Sequence, residues 1–417
     1  MALALALGAA SAAAGDRSLG VASCASSLCH GATQPLGKHP IRQNEYFLWQ
    51  QQDRHSRAYR TLDSASSRKI GRALGIDPAS APDCLACHAD SGAIAGKGPR
   101  YLLDDGIGCE SCHGAAERWL PEHTRPGITL EQKVALGMRP LWQGETRAAL
   151  CLGCHQGDAA HPISHAMMAA GHPRLVFELD TFTALQPAHH SRDADYAIRK
   201  GAYQPARDWI TGQVSAAESH LQALADGRFT GAGLMPEWMA FDCSACHHGM
   251  DAARWQAQRM PGAAPGAVPF ADAPQQLLAL WLAAVAPAEV SAWREAQQRL
   301  NAAQAKSAEA VRSAARQQLA LLHSRVRPLL LAAPVTTAQL RALLRGLVSD
   351  TSQAALASEQ RAMALTVIAD ALRLQGAPVS PDATRAIERY YKTVRSVDRF
   401  DLRDHARALD AVARALP

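Results

Sequence analysis

The chain has 417 residues, of which 48% are hydrophobic and 19% charged, and its formal net charge is +5. This composition excludes a disordered or fibrous protein, and no apolar run is long enough to span a bilayer, so we expect no transmembrane segment. The length predicts about two or three domains. Two counts are unusual, 10 cysteines and 17 histidines, beside only 5% aromatic residues.

The chain begins with an alanine-rich apolar stretch. Residues 2–14 end in small side chains and are followed by Asp16 and Arg17, a pattern typical of the apolar part and cleavage site of a signal peptide. A basic segment ahead of this stretch is missing, so either the true start lies upstream or the stretch is a flexible terminus. We predict that residues 1–15 are a signal-peptide remnant and that the protein is exported to the periplasm or the extracellular space.

All ten cysteines occur in pairs, and a histidine follows each pair directly. Cys-x-x-Cys-His is the attachment motif of c-type haem, because the two thiols bond the vinyl groups of one porphyrin and the histidine then lies beneath the iron. The first pair departs from this spacing, with four residues between its cysteines. We predict five covalently attached c-type haems, held in chain order by Cys24, Cys29 and His30, by Cys84, Cys87 and His88, by Cys109, Cys112 and His113, by Cys151, Cys154 and His155, and by Cys243, Cys246 and His247.

Three other interpretations of the cysteines are weaker. Zinc sites of this type use two cysteine pairs per metal, so five pairs would leave one over. Disulfides made only of local pairs would close very small loops and stabilise little. Cys24 follows Val21-Ala22-Ser23, which is similar to a lipoprotein cleavage box, but lipidation there would separate Cys24 from Cys29 and His30.

The chemistry-bearing residues are concentrated in one part of the chain. All ten cysteines and all but two histidines, His323 and His405, precede residue 250. We therefore predict a loop-rich pentahaem domain over residues 16–260, in which the haems share one core, and a Pro/Gly-rich linker over residues 261–274. Together with the segment that follows, this predicts a mainly α protein.

Residues 275–417 have the sequence pattern of an all-α helical bundle. Apolar residues recur at helical spacing, and the segment contains residue types that begin helices. The first apolar stripe is Val311, Ala315, Leu319, Leu322 and Val326, and the second is Leu340, Leu343, Leu344 and Leu347. The predicted helix starts are Thr336 or Thr337, Ser380 with Pro381, and Asp401.

The charge is also divided along the chain. Residues 251–417 contain 21 basic and 14 acidic residues, whereas residues 1–250 contain 22 basic and 24 acidic residues. Haem propionates make the first part more acidic still. A basic bundle could therefore dock on an acidic surface, although a solvated helical face explains the charge equally well. We expect redox proteins as partners and no nucleic acid.

The proximal histidines leave the second axial ligand of each iron to be assigned. Histidines in the haem-rich part outnumber the five proximal positions, so there are enough for a second imidazole on every iron. His248 follows proximal His247 directly and could reach a neighbouring iron. His165 and His172 are two turns apart on one face if the helix after Pro162 continues.

Residues 20–255 resemble the multihaem cytochromes related to the tetrahaem electron carrier of ammonia oxidisers. The resemblance rests on the stretches 108–114, 165–175, 177–180, 209–213 and 241–248. It implies that histidines at these and similar positions are axial ligands. The distal candidates it supports are His55, His123, His165, His172 and His248. A sixth, weaker candidate is His189, or alternatively His190, in Pro187-Ala188-His189-His190, where the family often has Pro-x-His-Trp.

Two functions fit this pattern. Haems with two strong axial ligands offer no position for a substrate, which favours electron transfer along closely spaced haems. The alternative is a reductase or oxidase of a small nitrogen or sulfur compound at one five-coordinate haem. The sequence contains no Cys-x-x-Cys-Lys motif, so the resemblance to pentahaem nitrite reductases is limited to the number of haems. Electron transfer is the favoured prediction.

Overall fold

The computed structural model describes residues 16–35, 41–90, 96–157, 161–228, 237–247, 261–349, 355–394 and 401–416. The predicted signal-peptide remnant, residues 1–15, and the candidate ligand His248 lie outside these ranges. Within them, none of the helices is both long and apolar enough to cross a membrane.

Helices dominate the described residues, among which no β-strand occurs, and the prediction of a mainly α fold is confirmed. Two isolated bridges, Ser18 with Lys97 and Phe241 with Phe270, are the extended pairings observed there. The α-helices are α1 Glu45–Gln52, α2 Ala65–Leu74, α3 Pro82–His88, α4 Cys109–His113, α5 Leu130–Ala135, α6 Gly144–His155, α7 His165–Ala169, α8 Leu179–Leu185, α9 Ala194–Lys200, α10 Pro205–Ala225, α11 Ala273–Val285, α12 Val290–Ala303, α13 Ala308–Leu321, α14 Arg327–Ala332, α15 Thr337–Ser349, α16 Ala355–Leu374, α17 Pro381–Val394 and α18 Leu402–Ala415. Short 3₁₀ turns cover Val21–Ser23, Arg54–Arg57, Tyr59–Asp63, Leu103–Asp105, Trp238–Ala240, Cys243–Ala245 and Pro287–Glu289.

The chain forms two compact units. The first comprises residues 1–150 and 186–202, and the second comprises residues 151–185 and 203–417. The first three cysteine motifs therefore belong to the first unit, and the motifs ending at His155 and His247 belong to the second. This division differs from the one proposed from the sequence, and the boundaries at residues 260 and 275 remain a prediction.

The first unit is rich in loops and poor in buried apolar side chains. Its helices are short, and the large apolar residues Leu28, Leu102 and Ile198 are 83%, 60% and 85% exposed. The contiguous cluster of buried apolar side chains begins only at Ala206. A unit of this kind has little apolar packing of its own with which to offset the conformational entropy lost on folding.

The second unit has a continuous apolar core. Helix α10 begins with Pro205 at its first position, where the missing N–H costs no hydrogen bond, and it packs against α8, α11, α13 and α16. Both predicted apolar stripes are buried, with Leu322, Val326, Leu340, Leu343 and Leu347 fully inaccessible. The helical periodicity of the sequence therefore faces the core as predicted.

The predicted helix starts are confirmed. The Thr336 hydroxyl accepts a hydrogen bond from the Gln339 N–H, the Ser380 hydroxyl accepts one from the Ala383 N–H, and Asp401 accepts two at the start of α18. Such side chains satisfy amide groups that have no partner within the helix.

One irregularity separates α13 from α14. Residues Leu322–Val326 form a π-helical turn, and Pro328 follows immediately in α14. Because proline lacks an amide hydrogen and its ring clashes with the carbonyl group four residues earlier, the regular α pattern cannot continue through this position. The wider turn accommodates the proline while Leu322 and Val326 stay buried.

Two leucines near the end of α16 test the importance of the core. Leu372 is 1% exposed and Leu374 is 52% exposed, so Leu372→Ala should lower the free energy of unfolding by about 2–5 kcal/mol. Leu374→Ala, the matched control on the same helix, should change it by less than about 0.5 kcal/mol. Denaturant unfolding followed by far-ultraviolet circular dichroism measures both. Equal effects would contradict the assignment of this core.

Asp272 makes the stability of the second unit depend on pH. Burial raises the pKa of this carboxyl to about 6, even though it accepts hydrogen bonds from Gln297 and Gln276. Because the folded-state pKa lies above the unfolded one, the free energy of unfolding should fall by about 3 kcal/mol as the pH rises from about 4 to above 6.

Asp272→Asn should remove this part of the pH dependence. Unfolding free energies of the variant and the wild type at pH 4 and pH 7 measure it, with Asp410→Asn on the exposed face of α18 as a control for the loss of one charge. A difference between Asp272→Asn and wild type that is the same at both pH values would contradict the assignment.

Candidate functional site

Three of the five cysteine motifs lie on short helices. Helices α3, α4 and α6 each contain one motif, and in each the histidine is the last helical residue. Because residues three apart lie on one face of a helix, the two thiols point to the same side with the histidine beside them. The motif at Cys243 begins with a 3₁₀ turn, Cys243–Ala245. The longer first motif turns back on itself, so that the His30 N–H donates a hydrogen bond to the Cys24 carbonyl group at 3.1 Å.

No disulfide joins any two of the ten cysteines. Their exposure differs along the chain. Cys24 is buried, Cys29 and Cys246 are exposed, and the partly exposed members are Cys84, Cys87, Cys109, Cys112, Cys151, Cys154 and Cys243. The second cysteine of a motif is therefore accessible in every case, including Cys87 in α3, Cys154 in α6 and Cys246 after the 3₁₀ turn. Covalent attachment of haem to these ten thiols remains a prediction.

A metal ion held entirely by side chains would need a larger cluster than the motifs provide. Within the described ranges, no group of three or more His, Cys, Asp or Glu side chains is arranged to hold a metal ion. The predicted haem irons differ from such sites, because the porphyrin supplies four of the ligands and the protein supplies only the two axial ones. Pairs of histidines are therefore the relevant feature.

Three motif histidines face a second imidazole at nearly the same distance. The ring centroids of His30 and His123 are 6.3 Å apart, those of His113 and His189 are 6.3 Å apart, and those of His247 and His165 are 6.2 Å apart. A transition metal holds an imidazole nitrogen at about 2 Å. Two imidazoles on opposite sides of one ion therefore have centroids roughly 6 Å apart, as in these three pairs.

The angle between the rings differs among the pairs, at 23°, 87° and 33°. Rotation of an imidazole about its metal–nitrogen bond leaves the nitrogen in place. The spread of angles is therefore compatible with axial coordination in all three pairs.

Several candidate histidines also share one hydrogen-bonding pattern. A metal-binding histidine almost always donates the N–H of its other ring nitrogen to a carboxylate or a backbone carbonyl group. The Nδ1 atoms of the candidates lie next to such oxygens: His30 with Glu45 at 2.9 Å, His55 with Asp53 at 2.9 Å, His88 with the Ala58 carbonyl at 3.0 Å, His123 with the Leu120 carbonyl at 2.6 Å, and His172 with the Pro173 carbonyl at 2.8 Å. Coordination by these residues would use Nε2.

Three other histidines use Nε2 for bonding within the protein. The Nε2 atom of His323 bonds to Glu218 at 2.9 Å, and that of His405 bonds to the Ser358 hydroxyl at 3.3 Å. His220 is buried, with Nδ1 accepting from Gln275 and Nε2 next to the Ala240 carbonyl. The structural roles of these side chains distinguish them from the candidates.

The carboxylates that accept hydrogen bonds from His30 and His55 are held in their charged form. Burial alone would raise the pKa of Asp53, but hydrogen bonds from His55 and Gln186 outweigh it and lower the pKa to about 2. The hydrogen bond to Glu45 likewise raises the pKa of His30. Sequence reasoning missed both acids, although each lies within fifteen residues of its histidine.

His113 has a different environment. Burial, together with repulsion from His189 and other cationic groups, lowers the pKa of its imidazole to about 3. The ring is therefore neutral at physiological pH. A neutral imidazole is the form that coordinates a metal.

The first and third motifs meet in the first unit. The thiols of Cys24 and Cys109 share a hydrogen bond, which together with burial raises the pKa of Cys109. His30 also contributes to lowering the pKa values of His113 and His189. Two motifs that are far apart in the sequence are therefore neighbours in space.

The other predicted ligands lie as follows. His155 packs against the rings of Phe177 and Phe182, each 5.3 Å away. His55 lies in the 3₁₀ turn Arg54–Arg57. His172 lies beyond α7, which ends at Ala169, so the helix does not continue far enough to place His165 and His172 on one face. For His88 and His155 the second axial ligand remains a prediction, as do the roles of His55 and His172.

Comparison with known proteins bears on the first unit. A family model described as cytochrome c554 and c-prime matches residues 23–114, the segment that contains the first three cysteine motifs. This segment is similar to the cytochrome c-554 family. The resemblance inferred from the sequence for residues 20–255 is thereby confirmed over residues 23–114.

One curated relative supports the same relationship. Cytochrome c-554 of Nitrosomonas europaea is 29% identical over 86 residues, which cover 19% of this chain and 36% of the relative. The chain thus matches about a third of the length of that cytochrome. No solved structure matches the chain.

Proposed function

We propose that this chain is an exported c-type cytochrome that carries five covalent haems and transfers electrons between redox proteins. The observation that carries the proposal is the common separation of 6.2–6.3 Å between His30 and His123, between His113 and His189, and between His165 and His247. The relation of residues 23–114 to cytochrome c-554 supports the same chemistry.

The side chains of the first unit fit haem as a cofactor. This unit has exposed apolar residues and little buried apolar surface. A porphyrin would provide apolar surface for these side chains to pack against. No disulfide joins any two of the ten cysteines, as thioether attachment requires. When bound, haem supplies one-electron redox chemistry at its iron.

Different side chains would hold the porphyrin and the iron of each haem. The cysteines of each motif would hold the porphyrin covalently, and the motif histidine would bind its iron. His123, His189 and His165 would bind the opposite face of the first, third and fifth haems. Hydrogen bonds at Nδ1, such as that from His30 to Glu45, orient the rings and increase their basicity.

Two imidazoles on one iron favour electron transfer over catalysis. They would leave no position on the iron for a substrate, and they would place its potential below that of a haem with a methionine ligand. Because the Cys24 and Cys109 side chains interact, the first and third haems would be held close together. Short separations of this kind allow electrons to pass from haem to haem.

Thioether attachment takes place outside the cytoplasm, so the proposal requires export. The partners would be redox proteins, and docking of the basic residues 275–417 on an acidic surface remains a prediction. Intact-mass measurement of the matured protein should show five haems. A mass corresponding to four or fewer, or efficient production of holoprotein without export, would contradict the proposal.

His189 and His190 provide a sharper test because they are adjacent in sequence and only His189 is placed opposite His113. His189→Ala should convert one of five low-spin haems to high-spin, as measured by electron paramagnetic resonance. His190→Ala, the matched control, should leave the low-spin signals unchanged. A large high-spin signal in the wild type would instead favour a reductase or oxidase with a five-coordinate haem.

A further inference from the structure

Glu110 is a buried acidic residue inside the third cysteine motif. It follows Cys109 on helix α4 and is 5% exposed. Successive residues are about 100° apart around a helix, so the residue after the first cysteine does not share the face that carries the two thiols. In α3 and α6 the corresponding residues are the apolar Leu85 and Leu152. A buried carboxylate at this position requires hydrogen-bond donors that a leucine does not.

The donors are three backbone N–H groups from two other segments. The Leu19 and Ala116 N–H groups donate to Oε1 of Glu110 at 2.9 and 2.7 Å, and the Gly20 N–H donates to Oε2 at 2.7 Å. Leu19 and Gly20 belong to the segment that leads to the first motif, whereas Ala116 belongs to the segment that leads to His123. Both oxygens are therefore used, and they join three parts of the first unit.

The segment before the first motif is closely fitted at Gly20. This residue has a φ of 90°, in the region that favours glycine, and any Cβ atom there would collide with the Arg100 carbonyl oxygen. The 3₁₀ turn Val21–Ser23 follows directly, and the Cys24 N–H donates to the first carbonyl group of that turn at 2.9 Å. A short turn therefore connects the carboxylate of the third motif to the first cysteine of the chain.

The other segment leads to the imidazole that faces His30. Ala116 is fully buried, and the Trp119 indole donates a hydrogen bond to the Gly114 carbonyl group at 3.2 Å. The His123 N–H donates to the Trp119 carbonyl group at 2.9 Å, and the His123 ring lies against the rings of Trp119 and His30. The hydrogen bond from Ala116 to the carboxylate therefore fixes the start of the segment that carries this imidazole.

We propose that Glu110 is a positioning residue for the first haem, although it belongs to the third motif. Its carboxylate holds the segments that lead to Cys24 and to His123 against α4. A metal site needs its ligands within about 0.5 Å of their productive positions, so the two axial imidazoles of the first haem depend on these hydrogen bonds. The inference rests on the proposed function, since it requires haems at both motifs.

Glu110→Leu in the full-length holoprotein tests the role of the carboxylate. Leucine stands at the corresponding position of α3 and α6, so it suits a helix of this kind but accepts no hydrogen bond. Electron paramagnetic resonance should show the loss of one of the five low-spin signals, and this should be the signal that His123→Ala also removes. The signal that His189→Ala removes should remain, because the third motif keeps its cysteines and its histidine.

Two further variants separate the hydrogen bonds from the charge. Glu110→Gln keeps the oxygen that accepts from Leu19 and Ala116 and loses only the acceptor for Gly20, so its effect should be smaller and confined to the first haem. Glu131→Gln, at the exposed start of α5, is the matched control for the loss of one negative charge in the same unit. It should leave all the low-spin signals unchanged.

Mass spectrometry of the haem-bearing peptides decides the question if a variant matures incompletely. Loss of haem from the first motif alone in Glu110→Leu would support the proposal. Loss that includes the third motif, an unchanged spectrum, or loss of the signal assigned through His189 would overturn it. If Glu110→Leu yields no holoprotein, Glu110→Gln decides: a partial effect on the first haem supports the proposal, and no effect or an effect on another haem overturns it.

Failure of the proposed function would give a different result. If His123→Ala leaves every low-spin signal of the wild type in place, the ligand assignment of the first haem fails, and this inference fails with it. If His123→Ala removes one signal and Glu110→Leu removes none, only the role of Glu110 fails.

Discussion

The site depends on the two nitrogens of imidazole having separate tasks. One nitrogen can bind a metal only if it carries no proton and points at the metal, and the hydrogen bond that the other nitrogen donates favours that tautomer and that orientation. In this chain the oxygens that accept a hydrogen bond from Nδ1 come from two sources. His30 and His55 use the charged side chains of Glu45 and Asp53, while His88, His123 and His172 use backbone carbonyl groups, which for His88 is that of Ala58, thirty residues away. The fold around each histidine therefore determines which ring nitrogen is left for a metal.

The hydrogen bonds of the two ring nitrogens also show why the number of histidines in a segment does not by itself identify the metal ligands. His220 lies in the haem-rich part of the sequence, yet it is enclosed in the core and bonded at both nitrogens. Burial lowers its pKa to about 4, so it is a neutral structural residue. His123, by contrast, is held at Nδ1 by the turn that contains Leu120, and its ring faces His30.

The sequence predicted those parts of the molecule that depend on local patterns. The cysteine motifs, the apolar stripes around Leu322 and Leu344, and the caps at Thr336 and Asp401 each involve residues within a few positions of one another. The pairing of His113 with His189 could not be predicted in this way, because it joins distant segments through loops without periodicity. The resemblance to known cytochromes marked His123, His165 and His189 as candidates, but it did not say which histidine each would face. The positions of Glu45 and Asp53 carried no recognisable motif.

The order of the paired histidines along the chain has a consequence for maturation. His123 and His189 lie C-terminal to the motifs they face, whereas His165 lies N-terminal to its motif. In the proposed function, the first and third motifs would emerge during export before their partner imidazoles do, so each would at first hold its haem iron through one histidine. The fifth motif would emerge after its partner and would have both ligands at hand. The period of incomplete iron coordination would therefore fall early in the biogenesis of the protein.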